Sequence, residues 1–516
     1  MAPLSWDEVR LEVILQCKAW RLALMSENEK GQSKRNLARL MLGCCVAACF
    51  LLSRSSIDSM GSSDGDARSA TERIRVWKDK EGFLRERPPE PITVAYAISL
   101  IKCSDQHSTP AGLIDAALTL RHSVYLTSSR NNGRSHYDFE MFAIVHEQAE
   151  SCSHVLKDAG FRIIIQKKPV ERSEIEDPTL RQGIQKALCC GEDEFIKLWA
   201  YELTDYPIVV HSDMDFLFLN PMDGVFDSML FSPESTIGRT AREQLLLEFP
   251  QTAVVPRNIT ACMTRDWPQV RPGRIPAYQA GLMIVQPDPS VRETMLQVVR
   301  THSYTPGFGR DNGWGGLGYG AFIGSMAMVR RYGGMNTPQP ERLDLKQSCP
   351  QQGLVAYVYD TILNGTWVEL NQCRFNHMGM DVYFKPGQCR NNRDYCEDCM
   401  VTPLTGIYSA HYTHCRKPWA CIGESRKDRD DKKAMIDGQV LVDHCLELQR
   451  QWHNTRNDLE DRLHRLTGDS SILESRSGKY FPDVFQGHCT NFSSSGYLRI
   501  VGKNESFRRV PELYAL

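Results

Sequence analysis

The sequence predicts an α/β protein built on a mainly parallel sheet with helices on both faces. Between residues 92 and 211, apolar runs of strand length alternate with segments of helical spacing. The runs are continuously apolar, as in strands that are buried on both faces. In a sheet with one solvent-exposed face, apolar and polar positions alternate along each strand. The chain is 41% hydrophobic and 24% charged with a net charge of −2, which excludes wholesale disorder and a polytopic membrane protein and argues against a nucleic-acid partner.

The predicted elements alternate along the chain, and a long helical pattern follows near its end. Strands are predicted at 92–101, 139–145, 161–165 and 208–211, and helices at 111–124, 152–159, 194–203 and 440–466. Gly160 ends the second of these helices. In parallel sheets ligands bind beyond the carboxyl ends of the strands, so we expect the chemistry directly after Val210.

An N-terminal apolar segment predicts a membrane anchor. Residues 40–52 form an uninterrupted apolar run. The segment extends to 37–53 if the side chain of Arg39 reaches the membrane–water interface. Basic residues precede it and only Arg54 closely follows it, which places the N-terminus in the cytosol and the rest in a lumen. A cleaved signal peptide and a buried core helix are the alternative interpretations.

The cysteines and glycosylation sequons favour an oxidising compartment. The chain has 18 cysteines, and four Asn-x-Ser/Thr sequons lie in its second half, at Asn258, Asn364, Asn491 and Asn504. The composition divides the chain into a cytosolic tail, an anchor, a stem rich in Ser, Gly, Pro and charge, a catalytic domain and a helical extension. Their predicted bounds are 1–36, 37–53, 54–90, 91–422 and 423–516.

Two carboxylates after the fourth strand carry the strongest chemical signal. Asp213 and Asp215 follow an apolar strand directly, and unpaired carboxylates at such a place are costly. Hard oxygen ligands suit Mn²⁺ or Mg²⁺, which complete their coordination with water and phosphate. A distant loop carries His411, which can serve as a third ligand, and Lys417, which can neutralise a phosphate.

An ordered set of motifs resembles the glycogenin-like family 8 of retaining glycosyltransferases, which have a Rossmann-like GT-A fold. The matches lie within residues 92–421 in the family's order. They are Lys197-Leu198, Leu203-Thr-Asp-Tyr206, Asp213-Met-Asp215, Asn220-Pro-Met-Asp223, Tyr278-Gln-Ala-Gly281, Gln351-Gln-Gly-Leu354 and His411-x5-Lys417-Pro-Trp419.

The resemblance implies a UDP-sugar donor and a role for each matched residue. Asp213, Asp215 and His411 would hold the metal, with Met214 contacting the nucleotide, and Lys417 would stabilise the departing UDP. The remaining residues would contact the donor. Those near the sugar are Lys197, Gln279, Gly281, Gln351 and Gln352, and those near the uridine are Ala97 and Ser99.

The chain departs from the family at three places. Gln351 stands where the family usually has Asp, and Gln279 replaces the usual Asn. Residues 287–350 form a long insertion. We interpret its glycine-rich part, 313–320, as a flexible loop near the acceptor site. Two other functions therefore stay open. One is a UDP-sugar-binding protein without catalysis, and the other is an aspartyl-nucleophile phosphatase, although Leu217 stands where such enzymes have Thr or Val.

The cysteines near the closing motif allow two interpretations. Cys389, Cys396 and Cys399 could bind zinc with a fourth ligand, but a lumen favours disulfides. A bridge between Cys415 and Cys421 would lock the loop that carries Lys417. We therefore expect a single-pass type II membrane enzyme of the Golgi or endoplasmic reticulum that transfers a sugar to a glycan or glycoprotein acceptor.

Overall fold

The computed structural model describes most of the chain after residue 68. The described residues are 69–103, 110–184, 192–248, 255–266, 277–305, 313–317, 350–421, 435–440, 444–500 and 509–514, with short breaks inside the first, seventh and eighth ranges. The predicted tail and anchor (1–53) lie outside them. Within these ranges no helix is long and apolar enough to cross a membrane.

A seven-stranded sheet lies at the centre of the fold. Its members are β1 (Ile92–Leu100), β2 (Tyr137–His146), β3 (Arg162–Gln166), β4 (Val209–Ser212), β6 (Ala261–Arg265), β7 (Tyr278–Val285) and β10 (Trp367–Glu369). They are ordered β10-β6-β7-β4-β1-β2-β3, and β7 alone among these seven runs antiparallel to its neighbours. The predicted mixed α/β fold with a mostly parallel sheet is confirmed.

The other described elements are helices and two-stranded ribbons. The helices are α1 (Ala70–Arg75), α2 (Pro110–Ser128), α3 (Ser153–Asp158), α4 (Pro178–Gly183), α5 (Asp223–Leu230), α6 (Thr236–Glu248), α7 (Pro289–Thr301), α8 (Pro350–Tyr357), α9 (Gln372–Phe375), α10 (His444–Thr467) and α11 (Pro482–Phe485). The ribbons pair β5 (Phe216–Phe218) with β13 (Ser409–His411), β8 (Tyr304–Thr305) with β9 (Gly313–Trp314), β11 (Tyr383–Lys385) with β12 (Gln388–Cys389), and β14 (Met435–Ile436) with β15 (Gln439–Val440). The helix predicted at 194–203 is found as 3₁₀ turns over Glu192–Glu202.

Both faces of the sheet are buried, which explains the continuous apolar runs. Along β1, Val94, Tyr96 and Ile98 belong to the apolar cluster on one face. Ala95 and Ala97 belong to the cluster on the other. Because successive side chains of a strand point to opposite faces, a strand covered on both sides needs apolar residues at every position.

The end of the predicted stem is part of the folded unit, which spans Arg68–Leu516. Ile74 and Leu84 are buried in the main core. The backbone of Leu84 donates to the carbonyl of Leu230 at 2.9 Å and accepts from the amide of Ser232 at 2.8 Å. We predicted a stem to residue 90 because this stretch is rich in proline and charge. A few buried apolar residues and these backbone bonds nevertheless attach it.

Two parts of the insertion, residues 287–305 and 313–317, are described and form regular elements. Residues 289–301 form α7, and the glycine-rich part begins with β9, where the ring of Trp314 is fully buried. Trp314 packs edge-on against Tyr304 with ring centroids 5.0 Å apart. The start of the predicted flexible loop is therefore a buried ribbon, because one large aromatic ring supplies the apolar area that the glycines lack. Residues 318–349 lie outside the described part.

The C-terminal extension packs on the first helix of the domain through a buried network of charges. Arg456 on α10 is fully buried, lies 3.5 Å from Asp115 on α2 and donates to Glu460 at 2.8 Å. The carboxylate of Asp115 also accepts from Tyr497 at 2.8 Å and from the backbone of Ile500 at 3.0 Å. Breaking such a network leaves a buried charge unpaired, which is costly, so the extension is attached firmly to the sheet domain.

Candidate functional site

Two strand pairings bring the predicted metal ligands together. Asp213 follows β4, and its backbone amide donates to the carbonyl of Gly281 on β7 at 3.0 Å. Asp215 begins the turn into β5, which pairs with β13 so that Phe216 lies opposite His411. The amide of Tyr412 then donates to the carbonyl of Asp215 at 2.9 Å. His411, which is remote in sequence, is thereby placed beside the two carboxylates.

The three side chains form a cluster of the size that holds a metal ion. One ligand atom from each of Asp213, Asp215 and His411 lies within 4.8 Å of the others. The Nε2 atom of His411 is 3.8 Å from Asp213 Oδ2 and 3.5 Å from Asp215 Oδ1. Two carboxylates and one imidazole, partly open to solvent on the Asp213 side, fit a divalent cation such as Mn²⁺ that keeps water or phosphate ligands.

Two lysines contact the carboxylates of this cluster. Lys197 is buried, and its ammonium lies 2.6 Å from Glu194 Oε2 and 2.8 Å from Asp213 Oδ1. Lys417 donates to Asp215 Oδ2. Burial alone would raise the pKa of Asp215, but the charges of Lys417 and His411 outweigh it and hold that pKa well below its usual value. The site therefore contains closely spaced opposite charges before any ligand binds.

Gly281 allows the ligands to approach each other. A Cβ at this position would lie 2.5 Å from His411 Cε1, 2.7 Å from Gln279 Oε1 and 3.1 Å from Asp213 Oδ2. Its amide donates to Gln279 Oε1 at 2.6 Å, which fixes that side chain against the site. The predicted residues of β7 therefore lie at the metal cluster, and any side chain at 281 would displace the histidine.

The predicted uridine contacts lie on β1, beside the strand that ends in Asp213. Ala97 pairs with His211 across β1 and β4, and the hydroxyl of Ser99 is 2.8 Å from His211 Nε2. Burial, together with the charge of Lys197, lowers the pKa of His211 to about 3, so the ring is neutral and can accept from or donate to Ser99. Met214 is partly buried, and its side chain packs on the main apolar core.

Gln351 and Gln352 lie in the first turn of α8, and their side chains lie outside the described part. Three residues at the site were not predicted from the sequence, namely Glu194, His211 and Asn376. Glu194 could have been found, because it lies one helical turn before Lys197. His211 sits inside an apolar strand and Asn376 in an irregular segment, so no pattern in the sequence marks either residue as part of the site.

Two disulfides fasten the loop that carries Lys417 to the C-terminal extension. Cys415 is bonded to Cys445 at the start of α10, and Cys421 is bonded to Cys489. The expected bridge between Cys415 and Cys421 is wrong, because each sulfur faces a cysteine of the extension instead. Between them, the Trp419 ring is buried 5.7 Å from that of Trp452.

The remaining described cysteines near the site are also disulfides. Cys373 is bonded to Cys399, and Cys389 is in a disulfide as well. Cys396 lies outside the described residues. Two of the three cysteines considered for zinc are therefore oxidised, which disagrees with a zinc site there because zinc binds thiolates.

The chain is similar to several solved structures, whereas no family model and no curated protein sequence matches it. Mouse xyloside xylosyltransferase 1 in its apo form matches with a TM-score of 0.33 and 10% identity over 64% of this chain and 100% of that one. The galactosyltransferase LgtC with donor and acceptor sugar analogues has a TM-score of 0.32 and 11% identity over 71% and 95%. The Streptococcus pneumoniae glycosyltransferase GlyE gives 0.32 and 11% over 72% and 64%.

Proposed function

We propose that the protein is a metal-dependent retaining glycosyltransferase that moves a sugar from a UDP-sugar to a glycan or glycoprotein acceptor. The observation that carries this proposal is the cluster of Asp213, Asp215 and His411, whose ligand atoms lie within 4.8 Å of one another. Two lysines contact its carboxylates from either side. A site of this composition is suited to a substrate that brings several negative charges, as a nucleoside diphosphate does.

The residues of the site act mainly through fixed charge. Asp213, Asp215 and His411 hold the cation, which when bound supplies positive charge to the diphosphate. As the bond between sugar and phosphate breaks, negative charge grows on the departing UDP. Lys417 turns from Asp215 to that phosphate and stabilises it where the charge develops. The loop that carries Lys417 is held by two disulfides, so its backbone is fixed in advance and only the side chain has to turn.

The donor sugar and the uridine bind on opposite sides of the cluster in this proposal. Gln279 and Gly281 on β7 and Lys197 face the sugar, while Ala97 and Ser99 on β1 face the uridine. Gln351 and Gln352 at the start of α8 complete the sugar contacts. None of these groups is a strong nucleophile, which favours attack by the acceptor on the face that UDP leaves, with retention of configuration.

The cellular setting belongs to the same proposal. We infer a single-pass type II protein of the Golgi or endoplasmic reticulum with residues 37–53 in the membrane. Disulfides such as Cys421–Cys489 support an oxidising lumen. The sequon residues Asn258, Asn364 and Asn491 are all exposed, as glycosylation requires.

The decisive assay measures UDP release from a panel of UDP-sugars with Mn²⁺, with Mg²⁺ and with EDTA. Metal-dependent release from one donor supports the proposal and identifies the sugar. UDP binding without release across donors and acceptors favours a binding protein without catalysis. An aspartyl-phosphate trapped on Asp213 favours the phosphatase. A folded protein that does not bind UDP contradicts both the transferase and the UDP-sugar-binding protein.

The variant Asp215→Asn tests the metal assignment. We expect it to abolish Mn²⁺-dependent UDP release, because a neutral amide is a poor ligand for a hard cation, while the unfolding temperature stays near that of the wild type. Asp205→Asn is the matched control, since this exposed carboxylate lies just before β4 and away from the cluster. Normal turnover in Asp215→Asn contradicts the assignment.

A further inference from the structure

We propose that Asn376 is a positioning residue that fixes the ring of His411 so that its Nε2 lone pair faces the metal. The inference rests on the proposed metal site. Asn376 is fully buried and accepts from His411 Nδ1 through its Oδ1 atom at 3.1 Å. Its amide nitrogen donates to Thr264 Oγ1 at 2.8 Å. A buried chain of hydrogen bonds therefore runs from strand β6 through Asn376 to the metal-binding imidazole.

The ring of His411 is held on three sides. Its face stacks on Phe216, with ring centroids 4.3 Å apart. Its Cε1 edge lies against Gly281. The stacking contact tolerates either orientation of the ring, whereas the bond from Nδ1 to Asn376 holds the orientation in which Nε2 faces the carboxylates. Asn376 therefore keeps Nε2 directed at Asp213 and Asp215 when no cation holds it there.

The chemistry of metal binding explains why that choice matters. A neutral imidazole has one N–H and one lone pair, and the metal needs the lone pair on Nε2. The proton must then sit on Nδ1 and needs an acceptor, since a buried N–H without one is costly. An amide oxygen meets this need without charge. A carboxylate here would add a further negative charge behind a site that already contains two carboxylates.

The backbone around Asn376 is fixed independently of its side chain. It follows α9, whose first turn is capped by Asn371 and whose Cys373 is bonded to Cys399. The next residue, His377, donates to the carbonyl of Ser409 at 3.0 Å and accepts from the amide of His411 at 2.9 Å. The segment therefore runs alongside β13, and the side chain of Asn376 is delivered to the histidine by main-chain pairing.

The test measures Mn²⁺ binding to the full-length chain without nucleotide, by electron paramagnetic resonance of the free ion. Asn376→Leu keeps the branched shape and the number of side-chain heavy atoms and removes the acceptor. We expect Mn²⁺ to bind about 10- to 100-fold more weakly, the usual effect of losing a partner of a metal-binding histidine. Asn376→Asp keeps an acceptor oxygen at the same place and should recover most of the affinity.

Gln372→Leu is the matched control for this measurement. This buried glutamine lies on the same short helix, and its amide has no hydrogen-bond partner among the residues that the structure describes. We expect its Mn²⁺ affinity to equal that of the wild type. If Asn376→Leu does not fold, Thr264→Val keeps Asn376 but removes its anchor and should weaken Mn²⁺ binding in the same direction by a smaller factor.

The outcomes separate this inference from the proposed function. A wild-type protein that binds no Mn²⁺ contradicts the metal site itself. Loss of binding in His411→Ala together with unchanged binding in Asn376→Leu leaves the site in place and overturns the role of Asn376. Equal weakening in Asn376→Leu and Gln372→Leu also overturns it, because the effect would then follow from loosening α9.

Discussion

At the scale of single residues, Lys197 and Lys417 lie where they compensate the negative charge of Asp213 and Asp215. Lys417 donates to Asp215, and Lys197 lies between Glu194 and Asp213. Burial opposes the charged form of Lys197, but its two carboxylate neighbours outweigh burial and raise its pKa. The lysines contact Asp213 Oδ1 and Asp215 Oδ2, whereas His411 faces the other oxygen of each carboxylate. Their positive charge therefore opposes a cation bound between His411 and these carboxylates.

Lys417→Met separates the two roles of this lysine. We expect turnover to fall by roughly 100-fold or more, because the charge that stabilises the departing phosphate is lost. We expect Mn²⁺ to bind more tightly without nucleotide, because the positive charge of the ammonium beside Asp215 no longer opposes the cation. Metal titration and UDP release measure the two effects, with the exposed Lys479→Met as control. Weaker Mn²⁺ binding in Lys417→Met contradicts this account.

The sequence identified the residues whose surroundings are local. Asp213 and Asp215 could be predicted because they end a continuously apolar strand. Asn376 could not, since it acts through a histidine brought near by strand pairing. The disulfide partners of Cys415 and Cys421 were equally out of reach, because the spacing of cysteines does not determine which of them meet in the fold.

At the scale of elements, the long buried strands were predictable and the short ribbons were not. β1 and β2 have nine and ten residues, almost all of them apolar or buried. β5 and β13 have three residues each and no periodicity that a short window can reveal. Their pairing nevertheless completes the site. The strands that build the fold were therefore more visible in the sequence than the ribbon that positions His411.

Helix α10 brings a buried histidine pair into the charged network of the extension. His453 lies on α10, and its Nδ1 is 2.9 Å from Nδ1 of His488. Burial, followed by the charge of Arg456, lowers the pKa of His488 to about 4, although Glu460 opposes the shift. The folded protein therefore keeps His488 neutral at pH values where an unfolded chain would protonate it.

The stability of the protein should fall as the pH decreases from about 6.5 to about 4. In this window the unfolded state binds a proton at His488 that the folded state does not, so stability rises with pH by at most about 1.4 kcal/mol per unit for this group. Urea unfolding across the window measures the slope. His488→Asn should flatten it and the exposed His136→Asn should not. An unchanged slope in His488→Asn contradicts the assignment.

At the scale of the whole molecule, the domain boundaries predicted from composition differ from those that the packing shows. The stretch before residue 91 and the extension after 422 are polar or charged, and for that reason both were predicted to lie outside the catalytic domain. In the structure the end of the first stretch, from residue 68, and the described parts of the extension belong to one unit, Arg68–Leu516. Average polarity does not reveal the few residues that fix such segments, such as Leu84 and Arg456, because each is a single position in a hydrophilic stretch.

The proposed lumenal setting predicts N-glycosylation of the protein made in animal cells. Asn258 and Asn364 lie close together, since the amide of Thr260 donates to the carbonyl of Thr366 at 2.6 Å. We expect endoglycosidase treatment to increase the gel mobility of the protein, and each of Asn258→Gln and Asn364→Gln to reduce that shift. A protein whose mobility does not change on treatment contradicts a lumenal catalytic domain.

The bond between Cys421 and Cys489 also sets an order of events during biosynthesis. The two cysteines are 68 residues apart, and the second follows the first along the chain. At ribosomal rates of about 5–20 residues per second, roughly 3–14 s pass between their appearances. During that interval the strands that carry Asp213 and His411 have already been made, while the loop of Lys417 can be fastened only at its start, through Cys415 and Cys445. The nascent chain therefore completes the proposed metal ligands before the loop of Lys417 is fastened at both ends.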